Sequence, residues 1–150
     1  SADAVVSQLR AYISLIDAQI TDATTAASPE IKLLLKNSGN TPAYDLTWLS
    51  VEQAREPADQ GPLKIETDGF VGKLSIGPGA TSDKTQNFGD EWRPIHPRAF
   101  LEGKVIIYAY GRISYRDTFN IVRSCQYRFL HKRDSPKGRM EADSDGNQCD

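Results

Sequence analysis

The sequence is poor in the side chains that bind metals or act as nucleophiles. Its 150 residues hold two cysteines, two histidines and one methionine. Cys125, Cys149, His96 and His131 follow no zinc-ligand spacing. A nucleophilic triad finds no base at a diagnostic spacing and no Gly-x-Ser-x-Gly elbow. A basic surplus is also missing. Lys plus Arg is 18 against 20 for Asp plus Glu, a net charge of -2, which argues against a general nucleic-acid binder. No apolar run approaches the roughly 18–20 residues of a membrane helix. Proline and glycine are too few for a low-complexity chain. What remains is 39% apolar and 25% charged residues, enough for one core in one domain.

The strongest positive signal is two-residue alternation. Leu9, Ala11, Ile13 and Leu15 fall on one face of an expected strand over 9–16, preceded by a helix-like stretch at 2–8. Glu30–Lys36 repeats the pattern with Ile31, Leu33 and Leu35. Asn37-Ser38-Gly39-Asn40-Thr41-Pro42 then breaks it, and Ala43–Val51 reads as a third strand. Residues 54–62 read as a polar loop, 70–76 as a short strand ended by Gly77-Pro78-Gly79, and Thr81–Phe88 as a polar strand. Pro97 and Gly103 bracket a short helix near 97–102. Lys104–Arg116 and Ile121–Leu130 are strands joined at Asp117-Thr118-Phe119-Asn120, where Asn120 takes the left-handed position. About seven short strands imply an all-β fold, an antiparallel immunoglobulin-like β-sandwich with one short helix.

The last residues, Asp143-Ser144-Asp145-Gly146-Asn147-Gln148, have nothing apolar to bury. A bond from Cys149 back to Cys125 would hold this tail and imply an oxidising compartment; two free thiols are the other reading. Arg10-Ala11-Tyr12-Ile13, Lys36-Asn37-Ser38-Gly39-Asn40-Thr41-Pro42-Ala43-Tyr44 and Tyr110-Gly111-Arg112-Ile113-Ser114-Tyr115-Arg116-Asp117-Thr118-Phe119 occur in this order. Together they resemble an uncharacterised family of bacterial proteins, N-terminally membrane-anchored and carrying one immunoglobulin-like β-sandwich. The resemblance spans about residues 9–150 and implies a cysteine in the last strand bonded to one near the end, the places of Cys125 and Cys149. Asn120 stands where the family often has Gly, and Cys149 comes later than its counterparts. The resemblance implies an anchor upstream of Ser1, an extracytoplasmic (periplasmic) location, and no substrate, cofactor or catalytic residue.

The expected organisation is therefore a juxtamembrane or linker remnant at 1–8, a β-sandwich domain at 9–131, and a tail at 132–150 tied back by a disulfide. Arg112, Arg116, Arg123 and Arg128 form a candidate anionic binding face on the last hairpin. Trp92 and His96 are candidate partner contacts, and His96 and His131 read as solvated. No catalytic, cofactor or metal residue stands out. The expected function is a non-catalytic binding or structural module whose partner is a protein or an envelope component, with no nucleic acid. The alternatives are an accessory or catalytic domain acting on cell-envelope polymers, and an anionic-lipid or glycan binder through the basic face.

Overall fold

The computed structural model describes residues 1–59, 61–65 and 73–150. Its elements are α1 (Ala2–Leu9), β1 (Ile13–Ile20), β2 (Glu30–Asn37), β3 (Ala43–Arg55), β4 (Leu74–Ile76), β5 (Thr81–Asn87), α2 (His96–Leu101), β6 (Ile106–Arg116), β7 (Val122–His131), β8 (Glu141–Ala142) and β9 (Gln148–Cys149), with a single 3-10 turn at Gly89–Glu91. All strand pairings among the described residues are antiparallel. One sheet has the order β1-β2-β5; the other runs β4-β3-β6-β7-β8, with β9 also on β7. Alternation is what buries the facing sides. Ile31, Leu33 and Leu35 of β2 meet Leu46 of β3 and Ile107 and Ile113 of β6 in the innermost core.

One side of the sandwich is closed by the chain after β7. Met140 N donates to Ala18 O (3.0 Å) and Ile20 N to Gly138 O (3.1 Å), so residues 138–142 bridge β1 to β7. The tail continues as a strap along β7. Asn147 Oδ1 accepts from Arg128 N (3.1 Å), its Nδ2 donates to Arg128 O (3.0 Å), and Cys149 lies directly opposite Cys125. The two cysteines form a disulfide across 24 residues of sequence. A loop of that length stabilises by roughly 3 kcal/mol in the chain-entropy model.

Several sequence expectations shift. The helix expected at 2–8 spans Ala2–Leu9, capped by Ser1 Oγ, which accepts from Ala4 N (3.2 Å). The expected strand over 9–16 begins instead at Ile13, and Leu9 is exposed. A bulge between Leu15 and Asp17 changes the phase: Ala11 and Ile13 face the core before it, Ala18 and Ile20 after it. β3 runs four residues past Val51 because Glu52–Arg55 keep pairing with β6, and the Arg55 guanidinium is buried against Asp59 and Gly61 O. Of the strand expected over 70–76, residues 70–72 lie outside the described residues, and 74–76 form β4.

Two buried groups pin the long hairpin. Trp48 Nε1 donates to Tyr127 Oη (2.9 Å), and the Tyr127 ring lies on Gly111, where an added Cβ would sit 2.8 Å from Cζ. At the tip, Asn120 has φ 62°, and the Asp117 carboxylate accepts from Phe119 N (2.9 Å), Ile121 N (3.0 Å) and Arg123 Nε (3.1 Å). Burial pushes the Asp117 carboxyl up, but the hydrogen bonds from Ile121, Arg123 and Phe119 outweigh it and hold the carboxyl below its ordinary range. A group so depressed contributes its full stability above the ordinary carboxyl range and loses it as pH falls through the folded value. Asp117→Asn should cost on the order of 3 kcal/mol at neutral pH. In denaturant titrations its gap to the wild type should narrow below about pH 4; a gap unchanged with pH would contradict this role.

Candidate functional site

The side opposite the 138–142 bridge is sealed by polar side chains. β5 is an edge strand, and its inward positions are Ser82, Lys84 and Gln86 rather than aliphatic residues. Inward charge on an edge strand deters pairing with another chain. Lys84 Nζ donates to Trp48 O (3.3 Å) and stands 5.7 Å from the Trp48 ring centre. Ser50 Oγ donates to Glu52 Oε1 (3.1 Å). With its amide nitrogen toward β3, Gln86 donates to Ser50 Oγ (2.8 Å) and Glu52 Oε2 (3.2 Å) and accepts from Lys84 Nζ (3.2 Å). Burial pushes the Glu52 carboxyl up against the opposing Ser50 hydrogen bond and Lys84 charge, and pushes the Lys84 amine down. Burial also pushes the Tyr127 hydroxyl, at the inner end of this row, up to about 12. Shallow concavities of about 330 and 410 Å³ flank Glu52.

A deeper cleft lies at the end of the sandwich where β1 and β7 finish. It measures about 530 Å³, between residues 20–24 and 131–138, with Phe100 of α2 as part of its wall. His131 is the pivot. Its Nδ1 donates to Arg139 O (2.8 Å), and its ring stacks on Phe100 with centres 5.3 Å apart and planes 12° apart. Burial pushes the imidazole down, against the pull of the Arg139 carbonyl and the Glu141 charge. The expectation of a solvated His131 is therefore corrected: the last residue of β7 points inward, opposite Ile107.

Beside this cleft, and sharing Thr24 with it, is a shelf of about 550 Å³ lined by Ala26, Pro94, Pro97 and Leu101. Ile95 is 67% exposed and Leu101 56%. Prolines fix this segment, and the indole of Trp92 supports it from inside. Trp92 itself is buried, packed against Phe88 (5.4 Å) and His96 (5.0 Å), so the outward apolar groups here are Ile95 and Leu101. His96 is half-buried; its Nδ1 accepts from Arg93 N (2.9 Å), and burial together with the Arg93 charge pushes it down.

The four arginines of the hairpin do not form one patch. Arg112, Arg116 and Arg128 lie on the outer face of the sheet, whereas Arg123 pairs with Tyr115 on the inner side and closes on Asp117. Arg116 binds Asp45 (3.2 Å) and covers Tyr44; Arg128 binds Asp143 (2.7 Å) and covers Tyr108. Strand parity alone separates Arg123 from the rest, and the partners of Arg116 and Arg128, Asp45 and Asp143, come from segments outside the hairpin that alternation cannot locate. The shelf had a readable signal, the Pro-Ile-His-Pro run that leads into α2; the cleft had none, since its walls are brought together by the fold. No protein-family model, curated protein or solved structure matches this chain.

Glu52 supplies a test of the seam. A carboxyl pushed up by burial favours its neutral form in the fold, a contribution present at low pH and lost as pH rises through the folded value. Glu52→Gln should then be as stable as the wild type near pH 4 and gain up to about 1 kcal/mol at pH 7. Destabilisation of this variant at pH 7 would show instead that the charge is needed beside Lys84.

Proposed function

We propose that this chain is a non-catalytic binding module of a bacterial membrane-anchored protein, working on the outer side of the membrane and presenting the α2 end to a protein or envelope partner. The observation that carries the reading is the shelf. Leu101 lines it, and Ile95 stands in solvent beside it on the segment stiffened by Pro94 and Pro97, an exposed apolar pair suited to a partner surface. Its placement suits a tethered protein. α1 lies at the opposite end, held by Asn40 Nδ2 to Gln8 O (2.7 Å) and by Thr41 Oγ1 to Leu9 O, and the eight residues of β1 separate the two ends by about 25 Å at ~3.3 Å per residue. An N-terminal tether would leave the shelf facing away from the membrane.

The disulfide supports the compartment, because such bonds persist where the environment is oxidising. The two-layer antiparallel sheets support an immunoglobulin-like classification. An anionic-surface role for the hairpin has less support, since Arg116, Arg123 and Arg128 already engage carboxylates.

Photo-crosslinking in intact cells tests the reading. A crosslinker at position 95 or 101 of the full-length protein should yield the same discrete adduct, and one at exposed Thr85 should not. Absence of an adduct from both shelf positions, or equal capture from Thr85, would reject the shelf as the contact surface.

A further inference from the structure

We propose that the cleft beside His131 binds a small organic anion, its oxyanion head held by Arg133 and Lys137 and its planar apolar body resting on Ile20, Ala23 and Phe100. This goes beyond the partner reading, which concerns the adjoining shelf. The cleft has the mixed lining such a ligand needs: polar and charged groups from both walls, residues 21–24 and 133–137, with Ile20, Ala23 and Phe100 among them, in a volume of about 530 Å³. Two cations line it against one carboxylate, Asp22, which accepts from Thr24 N (2.8 Å) and its hydroxyl and also feels the Lys137 charge, so the lining keeps a surplus of one positive charge.

The head-group end is built, not incidental. Arg133 lies across Gly103, whose φ is 71° and where an added Cβ would sit 3.1 Å from Nε and 3.3 Å from Cζ; the residue that ends α2 thus also seats the guanidinium. The ion pair of Arg133 with Asp134 is long, 3.6 Å, and both side chains are solvated, so it competes weakly for that guanidinium. The Thr21 hydroxyl accepts from Glu30 N (2.8 Å) and the Ser135 hydroxyl from Lys132 N (3.0 Å), so each keeps its own O–H to donate to an acceptor. On the wall, the Nδ1–H bond to Arg139 O and the Phe100 stack fix the His131 ring, so this part of the cleft is preorganised.

The test is a titration of the isotope-labelled chain followed by amide NMR, with phenyl phosphate, benzoate, inorganic phosphate and benzyl alcohol as probes. Phenyl phosphate or benzoate should give saturable shifts at Thr24, Phe100, Arg133 and Lys137. Inorganic phosphate and benzyl alcohol, each carrying half of the chemistry, should bind at least about tenfold more weakly. The Arg133→Gln and Lys137→Gln variants, both at solvated side chains and usable singly, should each weaken the aromatic anions several-fold. No saturable shift with either aromatic anion, an equal response to inorganic phosphate or benzyl alcohol, or binding unchanged in both variants would overturn the proposal. Any of these results leaves the crosslinking outcome at Ile95 and Leu101 untouched, so the two readings fail separately.

Discussion

A single buried amide holds the α1 end of this protein together. Asn37, at the end of β2, has no exposed surface, and each of its four hydrogen-bonding positions is filled. Its Oδ1 accepts from Tyr12 N (3.2 Å) and Gly39 N (2.9 Å); its Nδ2 donates to Thr41 O (2.8 Å) and Ile76 O (3.1 Å). Its backbone adds Asn37 N to Ala80 O (3.0 Å) and Gly79 N to Asn37 O (2.8 Å). One side chain therefore joins the lead-in to β1, the turn into β3 and the end of β4. No residue of similar shape replaces it: Asp has no donors, and Leu would leave four polar groups unpaired at about 1–3 kcal/mol each. Gly39 is part of the same lock. An added Cβ would lie 2.8 Å from both Ala11 Cα and Tyr12 N, so only glycine lets the turn press onto the incoming chain.

Much else follows from this fixed end. With Tyr12 and Thr41 held, α1 sits beside the 37–42 turn, and Arg10 reaches the C-terminal residue through a bond to Asp150 O (2.9 Å). The disulfide and the Asn147 strap tie the same tail along β7. The start and end of the chain thus meet at one end of the sandwich. The opposite end is left to α2, the shelf and the cleft. Its groups are positioned by the strands that terminate there, and it is on this division that the proposed tethering at one end and recognition at the other rest.

Alternation made β2, β6, β7 and the Asn120 hairpin legible, because those strands each have one face in the core and one in solvent. It misplaced β1, where a bulge reverses the phase, and it cut β3 short, where Glu52 and Arg55 look like loop residues until their partners across the sheet are known. The Asn37-Ser38-Gly39 turn was readable as a turn, but not as a buried hub. A polar residue between two strands gives no sign of whether its partners come from solvent or from segments far along the chain. The same blindness applies to the arginines. Arg112, Arg116, Arg123 and Arg128 read as one basic face, yet Asp45, Asp117 and Asp143 neutralise three of them. The cleft depends on residues 20–24, 100 and 131–138, whose meeting is a property of the packed sandwich alone.

The amide protons of Tyr12 and Gly39, which donate to Asn37 Oδ1, report most directly on whether this one side chain locks the fold. Native-state hydrogen exchange should find both among the slowly exchanging class, opening only with global unfolding alongside Leu33 and Leu35 of β2. Exchange of Tyr12 and Gly39 at the rates of fraying termini, while β2 stays protected, would contradict the account.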